Sequence, residues 1–334
     1  MIDISNLTKK YGDKCAVNNI SIHINEGEVV GFLGANGAGK TTTMNMLTGF
    51  ISSTSGNIKI KGVDILDNPL VAKKSIGYLP EIPPLYEDMT VWEYLNFIYE
   101  LKGCKFAREQ HLEEICEVVK IKDVAKRLIR NISKGYKQRV GLAQALVGNP
   151  KVIILDEPTV GLDPRQIIEM RKLIKALGKE HTVILSTHIL PEAQAICDRI
   201  IIIDKGSIIA DAKTEEIDAL INEHHRITAK ICGPSDKILA EIKSMQGIAN
   251  VQMLPEKEAD ANIFIIEAKS NVDIRKPLFS LLASKMWYLV GLETSGTSLE
   301  DIFIKYMDVA SLVAAKRDQR FRSDMHDLGI MEFK

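Results

Sequence analysis

The chain has no long apolar run. Its longest, such as Ile200-Ile201-Ile202-Ile203, are four or five residues, against the roughly 20 that a bilayer-crossing helix needs. Its amino terminus, Met1-Ile2-Asp3-Ile4-Ser5, has neither a basic start nor an apolar core, so no secretory signal is read there. Neither sign of charge is in excess: 43 Lys and Arg stand against 44 Asp and Glu, a net charge of -1. That balance supplies no field to draw the whole chain onto DNA or an anionic membrane, so no nucleic-acid partner is expected. There is no Cys-x-x-Cys; five cysteines (Cys15, Cys104, Cys116, Cys197, Cys232) are scattered with no histidine pair nearby. An odd, dispersed set predicts reduced thiols in a cytosolic protein, not a disulfide frame or a metal centre. His224-His225 lies in a polar stretch and reads as solvated loop. Solenoid-length repeats and low-complexity tracts are missing too. An ordinary globular balance remains, 46% hydrophobic and 26% charged over 334 residues, enough for about two domains with separate cores.

Residues 1 to about 220 alternate strand-like and helix-like segments, which predicts an α/β domain around a mainly parallel sheet. Val152-Ile153-Ile154-Leu155 and Thr182-Val183-Ile184-Leu185-Ser186 show no polar alternation, the mark of strands covered on both faces. Ile20-Ser21-Ile22-His23-Ile24 does alternate and suits an antiparallel edge strand. A helical insertion is expected over about 82–135, with a capping box at Thr90-Val91-Trp92-Glu93 and a second helix over Arg108 to Val119. Over 225–310 the order becomes β-α-β-β-α-β, the split βαβ pattern of a ferredoxin-like α+β domain. A closing helix is read over Ser298 to Met307, and 311–334 reads as a polar tail.

Two segments carry chemistry. Gly34-Ala35-Asn36-Gly37-Ala38-Gly39-Lys40-Thr41 fits G-x-x-x-x-G-K-[ST], between the strand Val29-Val30-Gly31-Phe32-Leu33 and a helix from Thr42. Such a turn aims backbone N–H groups and a helix dipole at one point, a cradle for phosphate. Lys40 is then expected on the β- and γ-phosphates and the Thr41 hydroxyl on magnesium. Asn36, Gly37, Ala38, Gly39 and Thr42 complete the cradle. Downstream, the buried run ending in Asp156-Glu157 brings two acids to a strand end, where open α/β sheets place ligands. Asp156 is expected in the magnesium shell and Glu157 as the general base for water.

These segments come with others that together resemble the ATP-binding subunits of ABC transporters. Ile132-Ser133-Lys134-Gly135-Tyr136-Lys137-Gln138-Arg139 resembles the family's signature, Gly161-Leu162-Asp163-Pro164 its D-loop, and Ser186-Thr187-His188 its switch histidine. Tyr11 lies where the family places an aromatic on adenine, and Val17 is carried with it as a nucleotide contact. The resemblance covers residues 1 to about 215 and is nearest to the subunits that serve separate export-type membrane proteins, for multidrug efflux or gliding motility. It implies an ATPase that binds ATP and Mg2+ at a head-to-tail dimer, as a homodimer or with a similar chain. Ser133 and Gly135 would reach the γ-phosphate held by the other subunit, His188 would orient water beside Glu157, and Asp163 would sit at the seam. It also implies a separate permease, at the inner face of the cell membrane, docked where Tyr86, Trp92 and Tyr94 open the insertion. Those aromatics equally suit helix core.

The chain departs from the family at three places. Glu81 replaces a glutamine that binds magnesium, Lys134 replaces a glycine, and Tyr136 replaces a glutamine. A carboxylate at 81 still offers oxygen but adds negative charge. Lys134 could face the partner's phosphates or solvent. Non-transport relatives are the rival reading. Chromosome-maintenance ATPases insert long coiled coils, whereas roughly ninety residues without heptads separate Thr41 from Ser133 here. Translation-type factors carry two ATPase domains; this sequence has one. The carboxy-terminal domain is open to two roles, a gate on the ATPase or padding of the dimer.

Overall fold

Continuous apolar strands are stable only where both faces of a sheet are covered, and this requirement arranges the first part of the protein. The computed structural model describes residues 1–217, 226–258, 260–269 and 272–295. They fall into two units, Met1–Thr214 and the residues from Glu215 onward.

The first unit opens with a hairpin of β1 (Ile2–Tyr11) and β2 (Lys14–Ile24), reversed at Gly12-Asp13 with Tyr11 opposite Lys14. β3 (Val29–Leu33) runs into the glycine-rich loop and α1 (Lys40–Leu47). β4 (Ser55–Ile60) and β5 (Val63–Asp64) return to the hairpin, giving an antiparallel sheet in the order β2-β1-β4-β5. The alternating segment thus lies on an edge strand. α2 (Pro69–Lys74) and β6 (Ile76–Leu79) lead to the insertion, α3 (Val91–Leu101) and α4 (Arg108–Val118). α5 (Lys134–Leu146) returns to β7 (Val152–Asp156). α6 (Pro164–Leu177), β8 (Thr182–Thr187), α7 (Leu190–Ile196), β9 (Arg199–Asp204) and β10 (Ser207–Lys213) finish the unit. The second sheet has the order β10-β9-β3-β8-β7-β6, parallel except for β10. One core cluster joins Leu7, Ile20 and Ile60 of the antiparallel sheet to Met44 of α1 and to Ile154 and Ile201 of the parallel sheet.

In the insertion, the Thr90 hydroxyl accepts from the Glu93 N–H at 3.2 Å while Glu93 accepts from the Thr90 N–H at 2.8 Å, the capping box that starts α3. At the other end, Lys102 reaches the last turn of α5 and donates to the carbonyls of Gln144 (2.9 Å), Ala145 (3.2 Å) and Val147 (2.8 Å). Helix ends leave carbonyls without partners, and one ammonium with three N–H groups meets three of them. Burial pushes Lys102 down to about 8, so it is charged at neutral pH.

The second unit runs β11 (Arg226–Cys232), α8 (Ser235–Ser244), β12 (Ile248–Glu258), β13 (Ala261–Ala268), α9 (Arg275–Ser284) and β14 (Tyr288–Ser295). Its sheet is antiparallel in the order β12-β13-β11-β14, the expected split βαβ arrangement. Ile231, Ile238, Ile242, Phe264 and Leu278 close its core. The closing helix, the polar tail and His224-His225 lie outside the described residues.

Lys102→Met keeps the side chain's length and leaves three carbonyls without a donor. It is expected to lower the unfolding free energy by about 1.5–3 kcal/mol, read as an earlier transition of the first unit in urea. An unchanged midpoint would show that the Lys102 staple adds nothing.

Candidate functional site

Parallel register brings the carboxyl ends of β3, β7 and β8 side by side, with Leu33 opposite Thr187 and Asp156 opposite Ser186. The segments that follow these ends are the glycine-rich loop, Glu157 and His188. The loop's shape is fixed by contact: Gly39 has φ 114, and a Cβ there would lie 2.7 Å from the Ala16 carbonyl. It leads into α1 without any side-chain cap, so the helix presents its first-turn N–H groups at the loop. Lys40 is only 5% exposed. Its ammonium donates to Gly34 O at 2.8 Å and Ala35 O at 3.3 Å, and lies 3.3 Å from Glu157 Oε1.

Glu157 is 6% exposed and has φ 47, a left-handed conformation for a residue with a side chain. That backbone costs about 1–2 kcal/mol. The Glu157 N–H donates to Ser186 O at 3.0 Å, and His188 Nδ1 lies 3.0 Å from Glu157 Oε2. Facing a carboxylate, that nitrogen carries the proton. Asp156 is buried more deeply, at 1% exposure, and neither carboxylate oxygen has a hydrogen-bond partner in the protein. Its charge adds to burial in pushing the Tyr78 phenol far above its ordinary value.

Lys40, Glu157 and His188 border a cavity of about 490 Å³. Of the residues read from sequence, Tyr11, Asn36, Gly37, Gly39, Lys40, Thr41, Thr42, Glu81, Glu157 and His188 line it. Ala38 and Val17 are buried and do not, and Asp156 lies at the strand end beneath Glu157. Val17 belongs to the core; Ala16, one residue earlier, forms the wall. Lys14 and Val160 also line the cavity without having been singled out from sequence. Lys14 was discoverable, because Gly12-Asp13 is a turn pair that sets it opposite Tyr11. Among the described residues, no three His, Cys, Asp or Glu cluster as a metal site of their own.

Ser133, Gly135 and Asp163 do not line this cavity. They gather elsewhere, at the starts of two helices. The Ser133 hydroxyl accepts from the Tyr136 N–H at 3.4 Å, capping α5, and Asp163 Oδ1 accepts from the Gln166 N–H at 2.9 Å, capping α6. A Cβ on Gly135 would lie 2.6 Å from the Gln166 side chain, so the two helix starts are in contact. Lys134 is exposed, and its ammonium lies beside Gly161. Tyr136 donates its hydroxyl to Asp123 at 2.7 Å, a bond that raises its phenol, and Lys137 pairs with Glu87 at 2.6 Å. Of the three aromatics at the insertion, Tyr94 is helix core while Tyr86 is half-exposed.

The family model described as ABC transporter matches residues 17–160. The uncharacterised ABC transporter ATP-binding protein YxlF of Bacillus subtilis is 42% identical over 218 residues, covering 65% of this chain and 72% of that protein. The bacitracin transport ATP-binding protein BcrA of Bacillus licheniformis is 40% identical, over 63% of this chain and 69% of its own length. The linearmycin resistance ATP-binding protein LnrL of Bacillus subtilis is 33% identical over 91% of this chain and 97% of its own. Among solved structures, the ATP-binding subunit of an ABC transporter superposes with a TM-score of 0.61 at 29% identity, covering 66% of this chain and 92% of that one. A dimeric ATP-binding cassette bound to ADP and Pi gives 0.59 at 26% identity, covering 64% and 99%.

A buried carboxylate without a donor is a cost to the fold. Asp156→Asn is expected to raise the unfolding free energy of the protein alone by about 1–3 kcal/mol. A lower stability in denaturant titration would mean that Asp156 has a partner holding it.

Proposed function

The chain belongs to the ABC transporter family as an ATP-binding subunit that hydrolyses ATP, and on that premise we propose how its site is completed and what it drives. Two chains meet head to tail, and the Ser133–Gly135–Asp163 patch of each closes the Lys40–Glu157–His188 cavity of the other. The observation that carries this is the separation of the two sets within one chain: the patch residues do not line the cavity their own chain forms. That a solved cassette bound to ADP and Pi is dimeric supports a two-chain site.

Within the cavity the roles follow from the contacts. The loop N–H groups and Lys40 take the phosphates, and Tyr11, half-exposed at the rim, offers its ring to adenine. Glu157 accepts a proton from the attacking water at Oε1 or Oε2, and His188 holds that carboxylate in line. Mg2+ fits this donor set. Asp156 has two buried oxygens without a protein partner, and Thr41 and Glu81 open on the cavity. Few protein ligands are needed, because Mg2+ is commonly shared with substrate phosphates. When bound it neutralises charge developing on the β- and γ-phosphates.

The driven partner is a separate membrane permease. No helix among the described residues is long and apolar enough to cross a membrane. The insertion and the strand end before it expose Ile82, Tyr86 and Leu101, an apolar set suited to receive a permease helix. The subunit would then lie at the inner face of the membrane through that partner. Export is the direction we assign, in keeping with one relative named for bacitracin transport and another for linearmycin resistance. The 225–310 domain is assigned an accessory role on this subunit.

Glu157→Gln is expected to cut steady ATP hydrolysis by about 10²–10⁴-fold while nucleotide still binds and a dimer accumulates on sizing columns. Hydrolysis by that variant at the unmodified rate would remove Glu157 as the base.

A further inference from the structure

Glu157 keeps a backbone conformation that its side chain disfavours, so something must hold it there. Two of the holding contacts are main-chain bonds, Glu157 N–H to Ser186 O at 3.0 Å and Val160 N–H to Glu157 O at 3.2 Å. The third is a buried side-chain link two residues further on. Thr159 Oγ1 donates to Glu192 Oε2 at 2.6 Å, and Glu192 Oε1 accepts from the Arg171 guanidinium at 3.1 Å. Thr159 and Glu192 are both buried. A carboxylate removed from water is tolerated only when paired, and Glu192 is paired on both oxygens.

The positions of these three residues make the link informative. Glu192 lies on α7, one turn beyond His188. Arg171 lies on α6, whose first turn Asp163 caps. One buried carboxylate therefore ties together the segment after Glu157, the helix after His188, and the helix that starts at the Ser133–Asp163 patch. None of the three residues lines the nucleotide cavity.

We propose that Thr159, Glu192 and Arg171 are positioning residues that clamp Glu157 in its left-handed conformation, with its carboxylate between Lys40 and His188. The clamp rests on the reading of Glu157 as the base. Without it, residue 157 relaxes toward ordinary negative φ and its carboxylate leaves both partners. Hydrolysis slows, while nucleotide binding, which uses the glycine-rich loop, stays.

The test uses the full chain with Thr159→Val, which removes the donor at nearly constant volume, and Thr159→Ser, which keeps it. Thr159→Val is expected to lower kcat by about 10- to 100-fold, with KM and the Kd of a fluorescent ATP analogue within about twofold. Thr159→Ser is expected to retain most of the rate. Glu192→Gln, which keeps an acceptor for Thr159 but loses the charge facing Arg171, should fall between them and serves if Thr159→Val does not fold. Added to Glu157→Gln, Thr159→Val should cause no further loss, since the clamp acts only through that carboxylate. Wild-type kcat in Thr159→Val, equal loss in Thr159→Ser, or a loss that adds fully to Glu157→Gln would overturn the clamp. A fully active Glu157→Gln would instead overturn the reading on which the clamp rests.

Discussion

The contact on which this structure turns is the meeting of two buried groups, Lys40 and Glu157, with the exposed His188 beside them. An ammonium and a carboxylate 3.3 Å apart, both largely removed from water, survive only if attraction and hydrogen bonding offset their lost hydration. Neither side chain could find that position from a flexible scaffold. Each is placed by the end of a strand whose residues are all buried, in β3, β7 and β8. The parallel pairing of those strands sets the spacing between the charged groups. The apolar core and the polar site are thus one construction, because a register slip in the first would pull apart the second.

Departures from ordinary folding rules gather at this point. Asp156 has a buried carboxylate without a donor, Ser186 a buried hydroxyl without a partner, and Glu157 a left-handed backbone. Nearby helix ends are conventional by contrast, with side-chain caps at Thr90, Ser133 and Asp163. Local inconsistency concentrated at one spot, within a fold that is consistent around it, is the expected mark of a place kept for chemistry. The two acids also divide their tasks by surroundings. Glu157 is held by a cation and an imidazole, while neither oxygen of Asp156 has a partner in the protein.

Much of this was legible in the sequence wherever one physical signal dominated. Unalternating runs gave the covered strands, the Thr90–Glu93 spacing gave the start of α3, and the order of short segments gave the second unit's sheet. What was not legible has physical reasons. Val17 and its neighbour Ala16 share a strand in which successive residues face opposite ways, so one position separates core from cavity wall. Register shifts between Leu7, Lys9 and Lys10 hide that parity from the sequence. Lys134 was unreadable because a long, flexible side chain takes the direction its neighbours allow, here along the side-chain-free face of Gly161. Tyr136 was unreadable because its partner Asp123 lies in a short turn of the insertion with no motif of its own.

The ties around α5 bear on how force could reach the site. Its last turn is stapled to α3 by Lys102, and its first turns are tied to the insertion through Tyr136–Asp123 and Lys137–Glu87. Arg139 adds a hydrogen bond to Val119 O at 3.0 Å, just past α4. A helix held to one body at both ends moves with that body, so a displacement of the insertion displaces Ser133 with it. Asp163, in contact with this helix start through Gln166, belongs to α6, which Arg171 and Glu192 tie to the segment carrying Glu157. The Ser133–Asp163 patch is therefore a junction between a body bearing exposed apolar side chains and a body bearing Glu157. A displacement of the first body is passed to the second through this junction, and packed junctions rearrange in steps instead of bending smoothly.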